Sequence, residues 1–473
     1  MEVGLYSVFK DFRIWLFVFF ALRLIGITDP PLEISHNWRQ VTVNMIARNF
    51  SEDNAPFLYP EMDNAGEKSG ITGTEFPLLN WLISLMANIF GWQHWYGRLI
   101  NLLVTSLGIW YFYKWLKDFV KEDIAFPAGM ILIVSLWFSF SRKIMPDTFS
   151  MSLAFIGLYY GYKYLQSKGL KNILLFTFFG TLGVLCKVPA ILALSPLLIE
   201  YIYSVKKTKV AHLPILIAGA FILSINFYWY FIWFNDLIRL GEWQFYYMGP
   251  GFPAGLTELF IDLNETFDNI YFESLKFSGF LLFIIGLILA WLKKAEKLIY
   301  IFLLWGFGFF LFMVQAGYGY ATHDYYTIPF VPAMAIIAGY GISQIPGKIS
   351  KSILLSIIVI EGIANQQHDF RIKDTELYKL ELAEICNNHF LKDDLILVNT
   401  GQNPQSLYFC NRKGWTVEHE SINDVFIDSL SQLGLKGLIF DKRKGTVELK
   451  RDRLYEDENY VVYSISTRGI KND

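Results

Sequence analysis

The chain has 473 residues and is 53% hydrophobic and 18% aromatic, yet only 18% charged, against about 25% charged in soluble domains. The deficit is uneven, because 33 charged residues fall within 366–473; this excludes one soluble globular domain and predicts a membrane-embedded part, 1–365, followed by a soluble domain, 366–473. A net charge of −2 gives no basic field for nucleic acid, and three cysteines exclude a disulfide scaffold and a four-cysteine zinc site.

A membrane helix needs about 20 mostly apolar residues. In chain order the candidates are 12–28, 98–116, 125–141, 148–165, 172–186, 188–203, 211–234, 277–292, 298–316, 325–342 and 352–365. The first reads as a span and not a cleaved signal: Arg23 interrupts it, and Asp29-Pro30-Pro31 follows where a small-residue cleavage site would stand. A twelfth apolar stretch, 76–91, decides the topology. If it lies along the outer surface as an interfacial helix, the basic clusters at Lys10/Arg13, Lys114/Lys117/Lys121, Lys163/Lys168/Lys171, Lys206/Lys207/Lys209, Lys293/Lys294/Lys297 and Lys348/Lys351 all fall on one side, as the positive-inside rule asks. The opposite side then receives the loops 29–75, with eight acids and three basic residues, and 235–276, with seven and two. The expectation is a polytopic α-helical membrane protein of about 11 transmembrane helices, N-terminus inside, with a C-terminal soluble α/β domain outside and the outer loops 29–97 and 235–276.

In the tail, 376–390 reads as helix, and 395–401, 406–410, 437–440 and 460–466 read as strands. Cys386 and Cys410 either pair, if the tail faces an oxidising compartment, or stay as two buried thiols. No P-loop or complete dinucleotide fingerprint occurs, and no histidine or carboxylate spacing points to a metal site. No cofactor is evident, and a divalent metal is left without support.

Charged groups at span ends are costly and therefore functional candidates. Four groups gather on the outer side of this topology. They are Glu33 to Asn49 with His36, Trp38 and Arg39; Arg142-Lys143 to Pro146-Asp147; Lys187-Val-Pro189; and His323-Asp324-Tyr325-Tyr326. Each has a plain alternative: lysines that snorkel to headgroups, an acid that caps a helix, histidines that only hydrogen-bond. Together they suit transfer from a lipid phosphate. A carboxylate takes a proton from an attacking hydroxyl, arginine and lysine neutralise the departing phosphate, and aromatic rings cover the sugar.

On these residues, with Thr74-Glu75-Phe76-Pro77-Leu78, Arg98-Leu-Ile-Asn101 and Asp324-Tyr-Tyr-Thr-Ile-Pro329, the sequence resembles the membrane-embedded C-fold (GT-C) glycosyltransferases, in the branch of protein O-mannosyltransferases and lipid A aminoarabinose transferases. The resemblance covers about residues 8–345. It implies an inverting enzyme in a bacterial cytoplasmic membrane that takes a sugar from a polyprenyl-phosphate donor, among membrane lipids, and places it on a hydroxyl of a glycan, lipid or protein acceptor at the outer face. The family's adjacent Asp-Glu pair falls here on Arg39-Gln40, so Glu33 takes the role of base, with Glu75 in reserve and Asp147 as the second acid. Arg142, Lys143, Lys187, Arg23 and Arg39 are the expected phosphate ligands, and His36, Trp38, His323, Asp324, Tyr325 and Tyr326 the expected substrate contacts. The rival readings are a membrane transporter or lipid flippase, which would show repeated halves and broken midplane helices, and a non-catalytic membrane scaffold.

The topology is testable alone. A cysteine introduced as Ser350→Cys should label only from the cytoplasm and one introduced as Phe245→Cys only from outside; outside labelling at 350 would overturn the eleven-span count.

Overall fold

The computed structural model describes residues 11–246 and 249–465; Lys10 and the end of the strand expected at 460–466 lie outside them. The described chain forms two compact units. One comprises 11–28, Tyr96–Ile232 and 249–370, and the other Asp29–Trp95, Trp233–Tyr246 and 371–465.

The first unit is helical. Each of the eleven apolar segments falls on helix, with breaks that continuous hydropathy hides. The segment 125–141 divides into Glu122–Val134 and Trp137–Phe140, because Ser135 turns extended and its hydroxyl accepts the Trp137 N–H. Segment 188–203 begins as a 3-10 turn, Val188–Leu194, before Pro196–Thr208. Segment 211–234 runs Leu213–Phe227 and then a π turn, Tyr228–Trp233. Among the described residues, Val188–Thr208, Leu213–Gly241, Glu296–Ala316 and Lys348–Phe370 are long and apolar enough to cross a membrane, and Leu263–Glu273 with Lys276–Leu292, bent by 85°, make a fifth if they are one span.

Helices α1 (Pro146–Ser167) and α2 (Leu170–Cys186) form an antiparallel hairpin around Lys168, which is left-handed at φ 57°, and Gly169. Its seam is backbone against backbone. A Cβ on Gly183 would stand 2.7 Å from the Ala154 nitrogen, and one on Gly157 2.9 Å from the Gly180 nitrogen. Small residues permit this approach, which drives helix association where water cannot. The same register brings the start of α1, at Asp147, beside the end of α2, at Lys187.

The second unit holds a five-stranded sheet in the order β2-β1-β3-β5-β4, where β1 is Leu395–Val398, β2 Gly414–Thr416, β3 Leu435–Asp441, β4 Asp452–Glu456 and β5 Tyr460–Ser464. Strands β2, β1 and β3 run parallel, and β5 and β4 are antiparallel additions. The sequence expectation differs at three places. Residues 406–410 are not a strand but part of a helix, Gln405–Cys410, set by Pro404, by an Asn403 side chain that accepts the Gln405 N–H, and by left-handed Asn411 at its end; a short apolar run does not by itself separate the two. The expected helix at 376–390 is a 3-10 segment, Asp374–Glu381, leading into Leu382–His389. Strands β2 and β4 were not expected, the first being three residues long and the second almost wholly exposed.

The unit is also wider than the tail. Leu32, Val41, Met45, Ile46, Phe50 and Met62 of the first loop share one core with Leu382, Ile385, Ile396, Leu407 and Val462. The helix Asn37–Glu52 is buried over most of its length, so the apolar face of the loop is completed by the tail. Arg48 reinforces the joint by donating to Asp63 at 2.7 Å and to the Tyr408 carbonyl at 2.8 Å, with Arg48 and Asp63 both buried. The amphipathic helix Leu78–Phe90 buries Leu79, Ile83 and Ala87 and exposes Trp81, Leu85, Ile89 and Phe90. All three cysteines are buried and outside any disulfide; burial, then the adjacent Cys386 thiol, pushes the Cys410 thiol well above its usual range.

The hairpin seam predicts a contrast. Gly183→Leu forces side-chain volume into the α1 backbone and should destabilise the protein by about 1–3 kcal/mol or more, seen as a lower Tm. Gly219→Leu, where a Cβ meets nothing within 4 Å, should leave Tm unchanged; equal effects would contradict the seam.

Candidate active site

The site in the helical unit begins with one amide. Asn101, on the helix Tyr96–Phe119, is fully buried. Its Nδ2 donates to the carbonyls of Phe140 at 3.0 Å and Lys143 at 2.8 Å, and more weakly to that of Met145 at 3.4 Å. Its Oδ1 accepts from the hydroxyls of Thr105 at 2.9 Å and Thr148 at 3.2 Å. Within the turn the Phe140 carbonyl also accepts from the Lys143 N–H at 3.2 Å and the Thr148 hydroxyl at 3.1 Å, and the Lys143 carbonyl from the Met145 N–H at 2.9 Å, so the amide ties an already bonded turn to its own helix. Asn101 therefore fixes the entry to α1. Pro146 begins that helix and Asp147 lies in its first turn, where the helix dipole favours negative charge.

Asp147 is buried, at 4% exposure, and its Oδ1 accepts from the Lys187 ammonium. Lys187 stands between α2 and the 3-10 turn begun by Val188-Pro189. Its Nζ lies 5.0 Å from the Tyr325 ring centre and 5.6 Å from that of Tyr326, within cation–π reach. His323 stacks on Tyr326 with ring centres 5.4 Å apart. Its Nδ1 lies 2.9 Å from both the Gly319 carbonyl and the Thr322 hydroxyl. Asp324 accepts the Tyr325 N–H at 2.7 Å. The second oxygen of Asp147, Oδ2, is buried and has no hydrogen-bond partner among the described residues. A buried carboxylate oxygen left unmade is expensive, and it marks the place where a donor from a ligand would be most stabilising.

Three of the four groups expected from sequence thus meet in this unit: Asp147, Lys187 and the segment 323–326. The other expected cations have defined partners. Arg142 donates to the Ile25 carbonyl and, at 2.8 Å, to that of Gly26, with its guanidinium 4.1 Å from the Phe370 ring centre. Arg23 is fully buried and donates to the Phe19 carbonyl at 2.9 Å and the Ser141 hydroxyl at 2.5 Å. Lys143 lies 4.0 Å from Asp369. These three bind the turns that carry the site, with backbone carbonyls and Asp369 as their counterparts.

The first-loop candidates lie in the second unit. Glu33 is buried, bridges backbone to Ile372 and accepts from Gln40 at 3.0 Å. His36, at φ 58°, starts the helix that exposes Trp38. Glu75 pairs with Arg39 at 2.5 Å and accepts from Thr74 at 3.1 Å; Arg39 also donates to Tyr246 at 2.5 Å and lies 4.6 Å from that ring centre. Glu33 and Trp38 line a polar cavity with Tyr378, Gln405 and Asp441. There burial, then the hydrogen bond to Asp441, holds the Tyr378 phenol well above its usual range, so it stays a donor, at 2.6 Å.

Sequence reasoning missed two features. Asn101 was quoted only for resemblance, and a polar residue inside an apolar span was the signal that could have found its role. The buried Lys276, at φ 58° and 2.7 Å from Glu273, carried the only other basic charge of the second outer loop besides Arg239. Among the described residues, no group of three or more His, Cys, Asp or Glu side chains converges as metal ligands would.

Residues 74–229, which include Asn101, Asp147 and Lys187, match the family model of dolichyl-phosphate-mannose-protein mannosyltransferases. The chain is similar in structure to ArnT from Cupriavidus metallidurans in the apo state, at 12% identity and TM-score 0.62, over 95% of this chain and 97% of that one. The same enzyme bound to undecaprenyl phosphate matches at 12% identity and TM-score 0.58, over 95% and 98%. The oligosaccharyltransferase AglB from Archaeoglobus fulgidus, in complex with an inhibitory peptide and a dolichol-phosphate, matches at 10% identity and TM-score 0.57, over 91% and 69%. No curated protein sequence matches. The chain has the GT-C glycosyltransferase fold, as its sequence resemblance implied, and is a multi-pass membrane protein.

The role of Asn101 is directly testable. Asn101→Leu keeps the volume and removes the hydrogen bonds that tie the turn to this helix, each contributing about 0.5–1.5 kcal/mol. Amide hydrogen exchange across 140–147 should accelerate and Tm should fall; unchanged exchange there would remove Asn101 from this role.

Proposed function

We propose that this protein is an inverting glycosyltransferase of a bacterial cytoplasmic membrane. It takes a sugar from a polyprenyl-phosphate donor and transfers it to a hydroxyl of a glycan, lipid or protein at the outer face. The observation that carries the reading is the buried Asp147–Lys187 pair, with one carboxylate oxygen unmade and two tyrosine rings beside the ammonium. It lies inside the segment that matches the mannosyltransferase model. The structures of similar fold bound to undecaprenyl phosphate and dolichol-phosphate support a polyprenyl-phosphate ligand.

In the reaction, the acceptor oxygen forms a bond to the anomeric carbon as the bond from that carbon to the phosphate oxygen breaks. The electron pair leaves with the polyprenyl phosphate, and the hydroxyl proton passes to a carboxylate. Lys187 is the phosphate ligand. It is a compact charge with three donors, and an arriving phosphate competes with Asp147 for it. Asp147 has Oδ2 without a hydrogen-bond partner among the described residues, able to accept from a hydroxyl. Tyr325 and Tyr326 supply aromatic faces for sugar or lipid. Glu33 and Glu75 are the alternative bases, each already holding a neighbour.

A carboxylate acting as general base contributes about 10²–10⁴-fold. Asp147→Asn and Lys187→Ala should each give folded protein with transfer lowered by about a hundredfold or more, and Lys187→Ala should also weaken donor binding. Glu33→Gln and Glu75→Gln, assayed in parallel, identify the base if Asp147→Asn stays active. Full activity in all four variants would exclude carboxylate-assisted transfer at these positions.

A further inference from the structure

The second unit contains a cavity that the chemistry assigned to Asp147 and Lys187 does not use. In open α/β sheets a ligand binds outside the carboxyl ends of the strands, where successive connections pass to opposite sides. Here β1 lies between β2 and β3, and the chain leaves β1 for β2 before crossing to β3. A cavity of about 280 Å³ opens at that point, among Thr400 and Asn403 after β1 and Asp441 at the end of β3. Its volume is at the lower end for ligand sites, suited to one monosaccharide unit.

The lining is built and incomplete. Gln405 is 1% exposed and fixed through its Oε1, which accepts from Lys379 at 2.8 Å and Asn403 at 3.1 Å. Its Nε2 is buried and has no hydrogen-bond partner among the described residues. The acids of the cavity are occupied: Glu376 by Lys379 at 2.5 Å, Asp441 by the Tyr378 hydroxyl at 2.6 Å and the Arg443 N–H at 2.9 Å, and Glu33 by Gln40 at 3.0 Å. The ammonium groups of Lys373 and Lys444, also in the lining and exposed, have no carboxylate partner among the described residues. Trp38, 47% exposed, offers an apolar ring, the kind of surface on which the face of a pyranose stacks.

We infer that this cavity is a binding site for a saccharide unit bearing a carboxylate or phosphate. Gln405 Nε2 donates to it, Lys373 and Lys444 neutralise it, and Trp38 covers its sugar face. The inference rests on the proposed transferase function only for the role of that unit, as part of the acceptor.

The test is calorimetric titration of the full chain in nanodiscs with glucuronic acid, glucose and inorganic phosphate. Glucuronic acid should bind about tenfold or more tightly than either of the others, as expected when a charged hydrogen bond and ring contact act together. Gln405→Leu and the double variant Lys373→Ala/Lys444→Ala should each weaken it about tenfold. The lysine variant changes only exposed side chains, so misfolding would not account for its loss. Phosphate binding as tight as glucuronic acid would reduce the cavity to a simple anion site and overturn the inference. So would absent glucuronic acid binding, or unchanged affinity in the lysine variant. Glucuronic acid binding retained in a protein without transferase activity would sink the proposed function while leaving this site standing; transferase activity without such binding would do the reverse.

Discussion

The helical unit depends on one buried ion pair. Asp147 and Lys187 stand where two helix ends meet, largely removed from solvent. Lys187 keeps 14% of its side chain exposed, so breaking the pair from one side costs less than the about 3–5 kcal/mol of a fully buried pair. Such an arrangement persists only where the surroundings fix it. The glycine seam between the two helices sets the register, and Asn101 holds the turn before Asp147. Lys187 closes the end of the second helix. The pair leaves one carboxylate oxygen unmade, so the site is stable enough to assemble and incomplete enough to receive a ligand.

In the second unit the governing constraint is burial. The helix after Glu33 carries apolar and polar residues that are all buried from Gln40 to Phe50, and a first loop alone has no core to cover them. The tail supplies that cover, with Arg48 and Asp63 neutralising each other where loop and tail join. This shared core places Glu33 and Trp38 against the sheet's carboxyl ends, which gives the tail domain a wall it does not encode itself.

Much of this was legible in the sequence, and the failures have physical causes. Each of the eleven apolar segments contains helix, though only four, or five with the bent pair, are long and apolar enough to span among the described residues, and the helix at 78–90 was evident from its apolar density. Hydropathy carries no information on breaks such as Ser135 or the π turn at 228–233, which depend on local hydrogen bonds. The pairing of 147 with 187 was implicit in two tight turns at one side of the topology, although the glycines that set it were not read. Residues 406–410 were read as strand because the four apolar residues after Ser406 have no period, and Asn403-Pro404 was not read as a helix start. The Ile25 and Gly26 carbonyls that accept from Arg142 have no sequence signature. The union of first loop and tail was invisible for a similar reason, since contacts between residues more than 300 positions apart leave no local pattern.

The central claim is that Lys187 meets the phosphate of the lipid donor beside Asp147. A cryo-electron microscopy structure of the protein in nanodiscs with a polyprenyl phosphate bound tests it most directly. The account predicts phosphate oxygens within about 3 Å of Lys187 Nζ, with the ion pair to Asp147 lengthened or opened and the lipid leading away past Tyr325 and Tyr326. A phosphate resolved elsewhere, with Asp147 and Lys187 still joined, would contradict it.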